Sequence, residues 1–203
     1  MTETETSREQ APRRPRGVAA AVGLLAIAIG LGIAFAGRSS AAPRGAFDWL
    51  RPTLPPPTWR LASLPSQSAT LAYPPGWRAI PSDRGTVSAA LLGRRGRIVG
   101  YLNATPRQGD ETLANWPVFR IRHLRAEGES AVRLIAARRG FALRAGSASC
   151  LIDTYRTSLA RYREIACLID ATPVATVVVG AAPSGDWHAQ ARTIERSIAS
   201  FSS

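Results

Sequence analysis

The chain has 203 residues, of which 26 are basic and 14 acidic, so its net charge is +12 at pH 7. Every basic residue is an arginine, and the arginines are spread along the chain instead of gathering among aromatic residues on one helix, as nucleic-acid-binding proteins usually require. We therefore expect no nucleic-acid partner. Codon bias in a GC-rich bacterial genome accounts for an arginine-rich composition, and a basic surface favours anionic lipid or an anionic envelope polymer.

The N-terminal part of the chain predicts a membrane anchor. Residues 1–16 are polar and contain proline, which predicts a disordered tail. Residues 17–37 form an uncharged apolar run of 21 residues. A helix of that length is about 31 Å long and crosses a bilayer core. Three arginines, Arg13, Arg14 and Arg16, precede it, so the positive-inside rule predicts a cytoplasmic N-terminus and a C-terminal domain outside the cytoplasm.

A cleaved signal peptide is the alternative interpretation of this segment. The tripeptides at 34–36 and 40–42 each begin and end with a small residue, which is typical of cleavage sites. The length of the apolar run favours an uncleaved signal-anchor over a signal peptide. No cysteine lies near its end, which excludes a lipid anchor of the lipobox type.

Residues 38–57 are predicted to be a proline-rich linker. Three successive prolines, 55–57, are typical of a stiff spacer that holds a domain off the membrane. The large apolar residues of this segment are Phe47, Trp49 and Leu50. They suit either the membrane interface or packing against the domain, and the sequence does not choose between these alternatives.

Residues 58–203 have the length of one domain with alternating strand and turn signals. The predicted strands are 69–73, 86–92, 97–104, 132–137, 149–156, 161–170 and 174–180. Several are apolar on both faces, which predicts an antiparallel sheet covered by helices on both sides, an α+β fold.

Two helices are predicted to cover the sheet. The last begins near Trp187, with Ser184 or Asp186 as its cap, and its apolar residues recur at helical spacing. The other lies within 110–127. Either Asn115 caps a helix that begins at the next residue, or the helix kinks at Pro117. His123 falls on the predicted apolar face of this helix and is interpreted as a packed core histidine.

The two cysteines carry the strongest local signal. If residues 149–156 and 161–170 pair as a hairpin around 157–160, Cys150 faces Cys167. Directly opposite residues have Cβ atoms about 4.5–5.5 Å apart, close to the distance that a disulfide requires. The sequence therefore predicts a structural disulfide and an oxidising compartment.

The same register places Asp153 opposite Glu164. Paired carboxylates can carry out acid–base catalysis, so an enzyme using these two residues is an alternative function. Neutralisation by arginine is the commoner fate of such a pair.

Other chemistry has little support in the sequence. His123 and His188 stand alone, and we find no metal-ligand spacing, nucleophile elbow or nucleotide-binding loop, so the sequence predicts no cofactor, metal site or catalytic residue. Arginines near predicted turns would form an anion-binding rim if those turns gathered at one end of the sheet. The members of this candidate rim are Arg94, Arg95, Arg97, Arg138 and Arg139.

The domain resembles a known fold family. A strand ending in Tyr-Pro-Pro-Gly-Trp at 73–77, a helix after antiparallel strands, and a final helix with Trp187 and a Ser-Phe ending at 200–201 are similar to the PsbP-like fold, which actinobacterial envelope lipoproteins of the LpqN type share. The resemblance implies a sheet sandwiched by helices in an α/β/α arrangement. It also implies a non-catalytic binding or assembly module.

Together these predictions describe a protein of the bacterial cell envelope that spans the membrane once. The resemblance implies an actinobacterial envelope. The tail occupies 1–16, the span 17–37, the linker 38–57 and an extracytoplasmic domain 58–203. The predicted function is non-catalytic binding of an envelope protein, a lipid or an anionic polymer. An exported soluble protein with a cleaved signal peptide is the alternative.

Overall fold

A computed structural model describes residues 45–203. The predicted tail, the predicted membrane span and the first part of the predicted linker lie outside these residues. The described chain forms nine strands, two α-helices and one short 3-10 turn. The strands are β1 (Arg60–Ser63), β2 (Thr70–Tyr73), β3 (Arg78–Ile80), β4 (Val87–Leu92), β5 (Ile98–Pro106), β6 (Ser130–Leu143), β7 (Gly146–Arg156), β8 (Arg161–Ala171) and β9 (Thr176–Pro183), and the helices are α1 (Trp116–Ala126) and α2 (Trp187–Ala199). Neither helix has the length and apolar character needed to cross a membrane.

Seven strands form one antiparallel sheet in the order β3-β4-β5-β9-β8-β7-β6, and β1 pairs with β2 in a separate two-stranded sheet. After β5 the chain passes through α1 to the far edge of the large sheet. It then returns strand by strand, so that β9 fills the place beside β5. Helix α1 is thus the crossover between the two halves of the sheet.

Two apolar clusters lie against the sheet and use alternate residues of its strands. The larger contains Ile194 and Ile198 of α2 with Cys167 of β8. The smaller contains Trp116 of α1 with Ala166, the neighbour of Cys167. Successive residues of a strand point to opposite faces, so each helix packs against its own set of strand residues. Helix α1 makes its sheet contacts mainly with β6 and β7, and the face of β4 and β5 that carries Ser88 and Tyr101 borders a pocket instead.

Residues 45–57, assigned to the linker, pack on the domain. Phe47 and Leu50 are buried in the larger cluster, and the Phe47 ring lies 5.3 Å from that of Phe141. The Thr53 N–H donates to the carbonyl oxygen of Ala199 at 3.1 Å. The sequence allows these residues either to lie at the membrane interface or to pack on the domain. In the structure, Phe47 packs on the domain.

Strand β6 is longer than the sequence predicts. The Arg-Arg-Gly sequence at 138–140 is typical of a turn and predicts an end after residue 137, but the strand continues to Leu143. Gly140 has a φ of +75°, and the pairing with β7 shifts between Arg139 and Phe141, so the glycine accommodates a bulge and the strand does not turn there. The short, largely exposed strands β1 and β3 were not predicted.

The helix starts follow the sequence prediction in part. Helix α1 begins at Trp116 with Asn115 at the cap position, which puts Pro117 in the tolerant first turn. Asp186 occupies the cap position of α2 but makes no side-chain capping bond, and its Oδ2 accepts a hydrogen bond from Arg97 at 2.7 Å.

The prediction that His123 is buried is wrong. Its side chain is 48% exposed, and its Nε2 lies 3.2 Å from the Glu127 carboxylate. Leu124 is the buried residue at this point of α1.

Candidate functional site: a buried ion pair beside a polar pocket

The hairpin formed by β7 and β8 has the predicted register throughout. Cys150 faces Cys167, Asp153 faces Glu164, and Tyr155 faces Tyr162. The cysteines are joined by a disulfide with Cα atoms 4.1 Å apart, and both are fully buried. The predicted disulfide is therefore confirmed.

The two carboxylates have different environments. Glu164 accepts two parallel hydrogen bonds from Arg120 of α1, from Nε to Oε1 at 2.8 Å and from Nη2 to Oε2 at 3.0 Å. This bidentate geometry is the strongest that an arginine makes with a carboxylate. Asp153 is fully buried, and neither of its oxygens has a hydrogen-bond partner among the described residues.

The buried carboxyl of Asp153 is held protonated at neutral pH. Burial raises its pKa from 3.8 to about 8, and the negative Glu164 adds to the increase while Arg120 opposes it. One arginine can neutralise only one carboxylate at close range, so the second carboxyl keeps its proton. The three side chains together then carry no net charge.

Asp153→Asn is expected to change how stability depends on pH. Between pH 4 and pH 8 the folded protein holds a proton that the unfolded chain has released, because the folded pKa is about 8. Stability therefore falls as the pH rises through that window and levels off above it, by at most about 1.4 kcal/mol per pH unit for one group. Asparagine cannot ionise, so the variant gains stability relative to wild type as the pH rises.

Urea unfolding at several pH values between 5 and 8 measures this difference. Asp170→Asn is the matched control, since Asp170 is an exposed aspartate on β8. A variant that keeps the pH slope of the wild type would contradict the assignment of the proton to Asp153.

A pocket of about 650 Å³ lies between α1 and the sheet, beside this ion pair. Its floor is a hydrogen-bonded row on β4 and β5. The Asn103 amide donates to Ser88 Oγ at 2.9 Å, and the Thr105 hydroxyl donates to Asn103 Oδ1 at 2.8 Å. The Tyr101 hydroxyl lies 3.2 Å from Ser88 Oγ. Such a connected row is fixed before a ligand arrives.

One wall of the pocket is formed by α1. Trp116, Phe119 and His123 stack in sequence along it, with ring centroids 6.1 and 5.9 Å apart. Arg120 and Glu164 also line the pocket, whereas Asp153 does not. The predicted carboxylate pair therefore offers no free acid to a molecule in the pocket, because one member is enclosed and the other is held by Arg120.

The loop before α1 contributes a further carboxylate, Glu111. Its side chain is only 3% exposed, and its Oε1 accepts a hydrogen bond from the Gln108 N–H at 3.0 Å. Its Oε2 has no hydrogen-bond partner among the described residues, although Glu111 lines the pocket.

The arginines of the candidate rim occupy two places in the sheet. Arg94, Arg95 and Arg97 belong to the turn between β4 and β5, where Arg97 binds Asp186. Arg138 and Arg139 lie in the middle of β6, and Arg138 faces Cys150 across the β6–β7 pair. Strands β9, β8 and β7 separate β5 from β6. Anion binding by these residues stays a prediction.

Sequence reasoning missed Arg120 and Glu111. A signal existed for Arg120, because it lies four residues after Trp116 and so shares that residue's helix face. Glu164, in a long apolar strand, required such a partner. Nothing comparable marked Glu111, whose burial depends on how its loop packs.

Residues 45–203 therefore form a mainly antiparallel α+β domain with two helices and an open pocket that has both polar and aromatic walls. The solution structure of cyanobacterial PsbP (CyanoP) from Synechocystis sp. PCC 6803 is similar, with a TM-score of 0.51 and 13% identity over 71% of this chain and 91% of that one. The similarity shows the PsbP-like fold that the sequence resemblance predicted.

Two other structures are similar at lower TM-scores. LpqN of Mycobacterium tuberculosis, described as involved in cell envelope biogenesis, has a TM-score of 0.44 and 14% identity over 71% of this chain and 89% of that one. A Bacteroides thetaiotaomicron protein has a TM-score of 0.44 and 14% identity over 72% of this chain, which spans about half (48%) of its length. No protein-family model matches the sequence, and the comparison with curated proteins found no match.

Proposed function

We propose that this protein is a non-catalytic binding module of the bacterial cell envelope, and that its pocket between α1 and β5 holds the ligand. The observation that carries the proposal is the pocket itself, about 650 Å³ with a polar floor and an aromatic wall. Pockets of this size with a few fixed polar groups are typical of small-molecule sites.

The arrangement of the ion pair supports binding over catalysis. Arg120 and Glu164 pair with each other through two hydrogen bonds, and Asp153 is enclosed and does not line the pocket. A general acid or base must reach the proton that it transfers, and neither carboxyl of this pair is free to do so. The pair acts as a clamp that fixes α1 on the sheet and so keeps the pocket wall in place.

The location in the envelope rests on the N-terminal sequence and the disulfide. An apolar run at 17–37, preceded by arginines, supports an uncleaved anchor with the domain outside the cytoplasm. The Cys150–Cys167 bond agrees with an oxidising compartment. N-terminal sequencing of the protein from cell membranes separates this from the alternative of an exported soluble protein, since cleavage after Ala36 or Ala42 would remove the run.

Gln108→Trp is expected to abolish ligand binding in the pocket. Gln108 lies at the rim and is exposed, so a bulky indole closes the entrance without disturbing buried packing. The measurement is a ligand-observed NMR screen of small polar compounds against purified full-length protein, repeated with the variant.

Arg107→Trp is the matched control, because Arg107 is the adjacent exposed residue and does not line this pocket. Compounds that bind wild type and Arg107→Trp but not Gln108→Trp support the proposal. The proposal is contradicted if the screen finds no binders, or if its compounds bind Gln108→Trp as well as they bind wild type.

A further inference from the structure

The edge strand β6 carries charge of one sign only. It includes three exposed arginines, Arg133, Arg138 and Arg139, and no acidic residue. None of the three forms a salt bridge with any residue of 45–203. The outer edge of β6 also pairs with no other strand of that range. The strand therefore presents uncompensated positive charge along an open edge of the large sheet.

Apolar side chains stand among these arginines. Leu134 and Ile135 are 48% and 52% exposed, and they directly follow Arg133. Arginines and large apolar residues together suit the interface of a bilayer, because the apolar groups enter the boundary of the acyl region while the guanidinium groups stay at the level of the lipid headgroups. Successive strand residues point to opposite faces, so a flat surface along the edge of β6 meets side chains from both faces.

The segment that precedes β1 leads to the same strand. Phe47 packs on Phe141 of β6, with ring centroids 5.3 Å apart, and Cζ of Arg138 lies 4.9 Å from the centroid of the Phe141 ring. The aromatic pair thus joins the start of the described chain to the arginines of β6.

The length of the connecting chain favours a membrane as the partner of β6. Gly45 follows the apolar run 17–37 by eight residues, which span at most about 29 Å when fully extended. That reach is shorter than the width of a compact domain of this length. With the apolar run as a membrane anchor, the side of the domain on which Phe47 and β6 lie is therefore the side that can reach the bilayer.

We propose that β6 docks on the surface of a membrane that contains anionic lipid. The guanidinium groups of its three arginines donate charge-assisted hydrogen bonds to the lipid phosphates, and Leu134 and Ile135 enter the interface. A protein strand is a less suitable partner, because three shifts of register interrupt the regular spacing of the backbone groups of β6. This inference rests on the membrane anchor of the proposed function and adds a lipid-binding surface to it.

Hydrogen exchange of the full-length protein in nanodiscs tests the docking. The backbone amides of residues 130–143 are compared between nanodiscs of phosphatidylcholine alone and nanodiscs that also contain phosphatidylglycerol. The amides at the outer edge of β6 are expected to exchange more slowly in the presence of phosphatidylglycerol. High salt should remove most of this difference, since salt screens the attraction between exposed charges.

The chain supplies a matched control, because the sequence Arg-Arg-Gly occurs at 94–96 and again at 138–140. The double variant Arg138→Ser with Arg139→Ser should lose the protection of β6. At about 1 kcal/mol for each arginine near an anionic surface, its docking is expected to be about thirtyfold weaker. The double variant Arg94→Ser with Arg95→Ser removes an equally exposed pair from the turn between β4 and β5 and should keep the protection.

A second variant leaves the arginines in place. Leu134→Ser removes a half-exposed apolar side chain and should reduce the protection of β6 without changing the net charge. The inference is overturned if β6 exchanges equally in the two kinds of nanodisc, if high salt leaves the difference unchanged, or if the two double variants behave alike.

Failure of this inference is distinguishable from failure of the proposed function. Protein that stays in the nanodisc but does not respond to phosphatidylglycerol has the anchor and lacks a lipid-binding surface on β6. Protein that does not stay in the nanodisc lacks the anchor, and the inference then fails with it. Binding in the pocket is measured separately, by the effect of Gln108→Trp.

Discussion

Arg120→Met is expected to lower the free energy of unfolding by about 3–5 kcal/mol, the usual cost of removing one partner from a buried ion pair. The variant leaves Glu164, which is 1% exposed, without its two hydrogen bonds, and Asp153 beside it without a nearby positive charge. Both carboxyls must then be protonated or solvated. Urea unfolding near neutral pH, followed by tryptophan fluorescence, measures the loss.

A second variant separates the ion pair from the shape of the site. Replacing both partners, Arg120→Met with Glu164→Leu, removes the uncompensated charge and should restore most of the stability. Arg125→Met is the control for loss of an arginine from α1, because Arg125 is exposed and forms no salt bridge with any residue of 45–203. A double variant as unstable as Arg120→Met would mean that packing, and not charge, accounts for the loss.

Removal of the disulfide is expected to cost about 2–5 kcal/mol. Cys150 and Cys167 are 17 residues apart and join the neighbouring strands β7 and β8, and both are fully buried in the larger apolar cluster. Without the bond the unfolded hairpin gains conformational freedom. The comparison is between the oxidised wild type, the reduced wild type and the double variant Cys150→Ala with Cys167→Ala.

The three forms separate the cross-link from the packing. Reduction keeps both sulfur atoms in place, so the reduced protein should lose nearly as much stability as the alanine variant. If only the alanine variant is destabilised, the effect comes from the cavity that the lost sulfur atoms leave. Alkylation of the denatured, unreduced wild type should label no thiol, and two labelled cysteines would exclude the bond.

The β7–β8 hairpin was predictable because two local constraints agree on it. A four-residue turn and the requirement that Cys150 face Cys167 set the register, and every other pair follows from the two-residue period of a strand, including Asp153 with Glu164. The partner of Glu164 was not predictable in the same way. Arg120 reaches it from 44 residues away, through the crossover helix, and local periodicity carries no information on that docking.

The errors have a common physical cause, since each arose where a local signal has two structural meanings. A glycine after two arginines, at 138–140, is typical of either a turn or a bulge. The apolar pattern continues after Gly140, which favours the bulge that the structure shows. His123 fits an apolar stripe by spacing, but part of that stripe faces the pocket. Phe119 packs against the smaller cluster and also lines the pocket, and the exposed His123 stacks on it there.

Strand β6 also bears on how the domain avoids aggregation. It is 14 residues long, its outer edge pairs with no other strand of residues 45–203, and Leu134 and Ile135 are about half exposed. A flat edge of that length would act as a template for a second chain and seed fibrils. Three shifts of register along β6 break the regular spacing of its backbone groups, so an incoming strand finds only short stretches to pair with. Deletion of the bulge residues would straighten the edge and give a second chain a longer regular row of backbone groups to pair with.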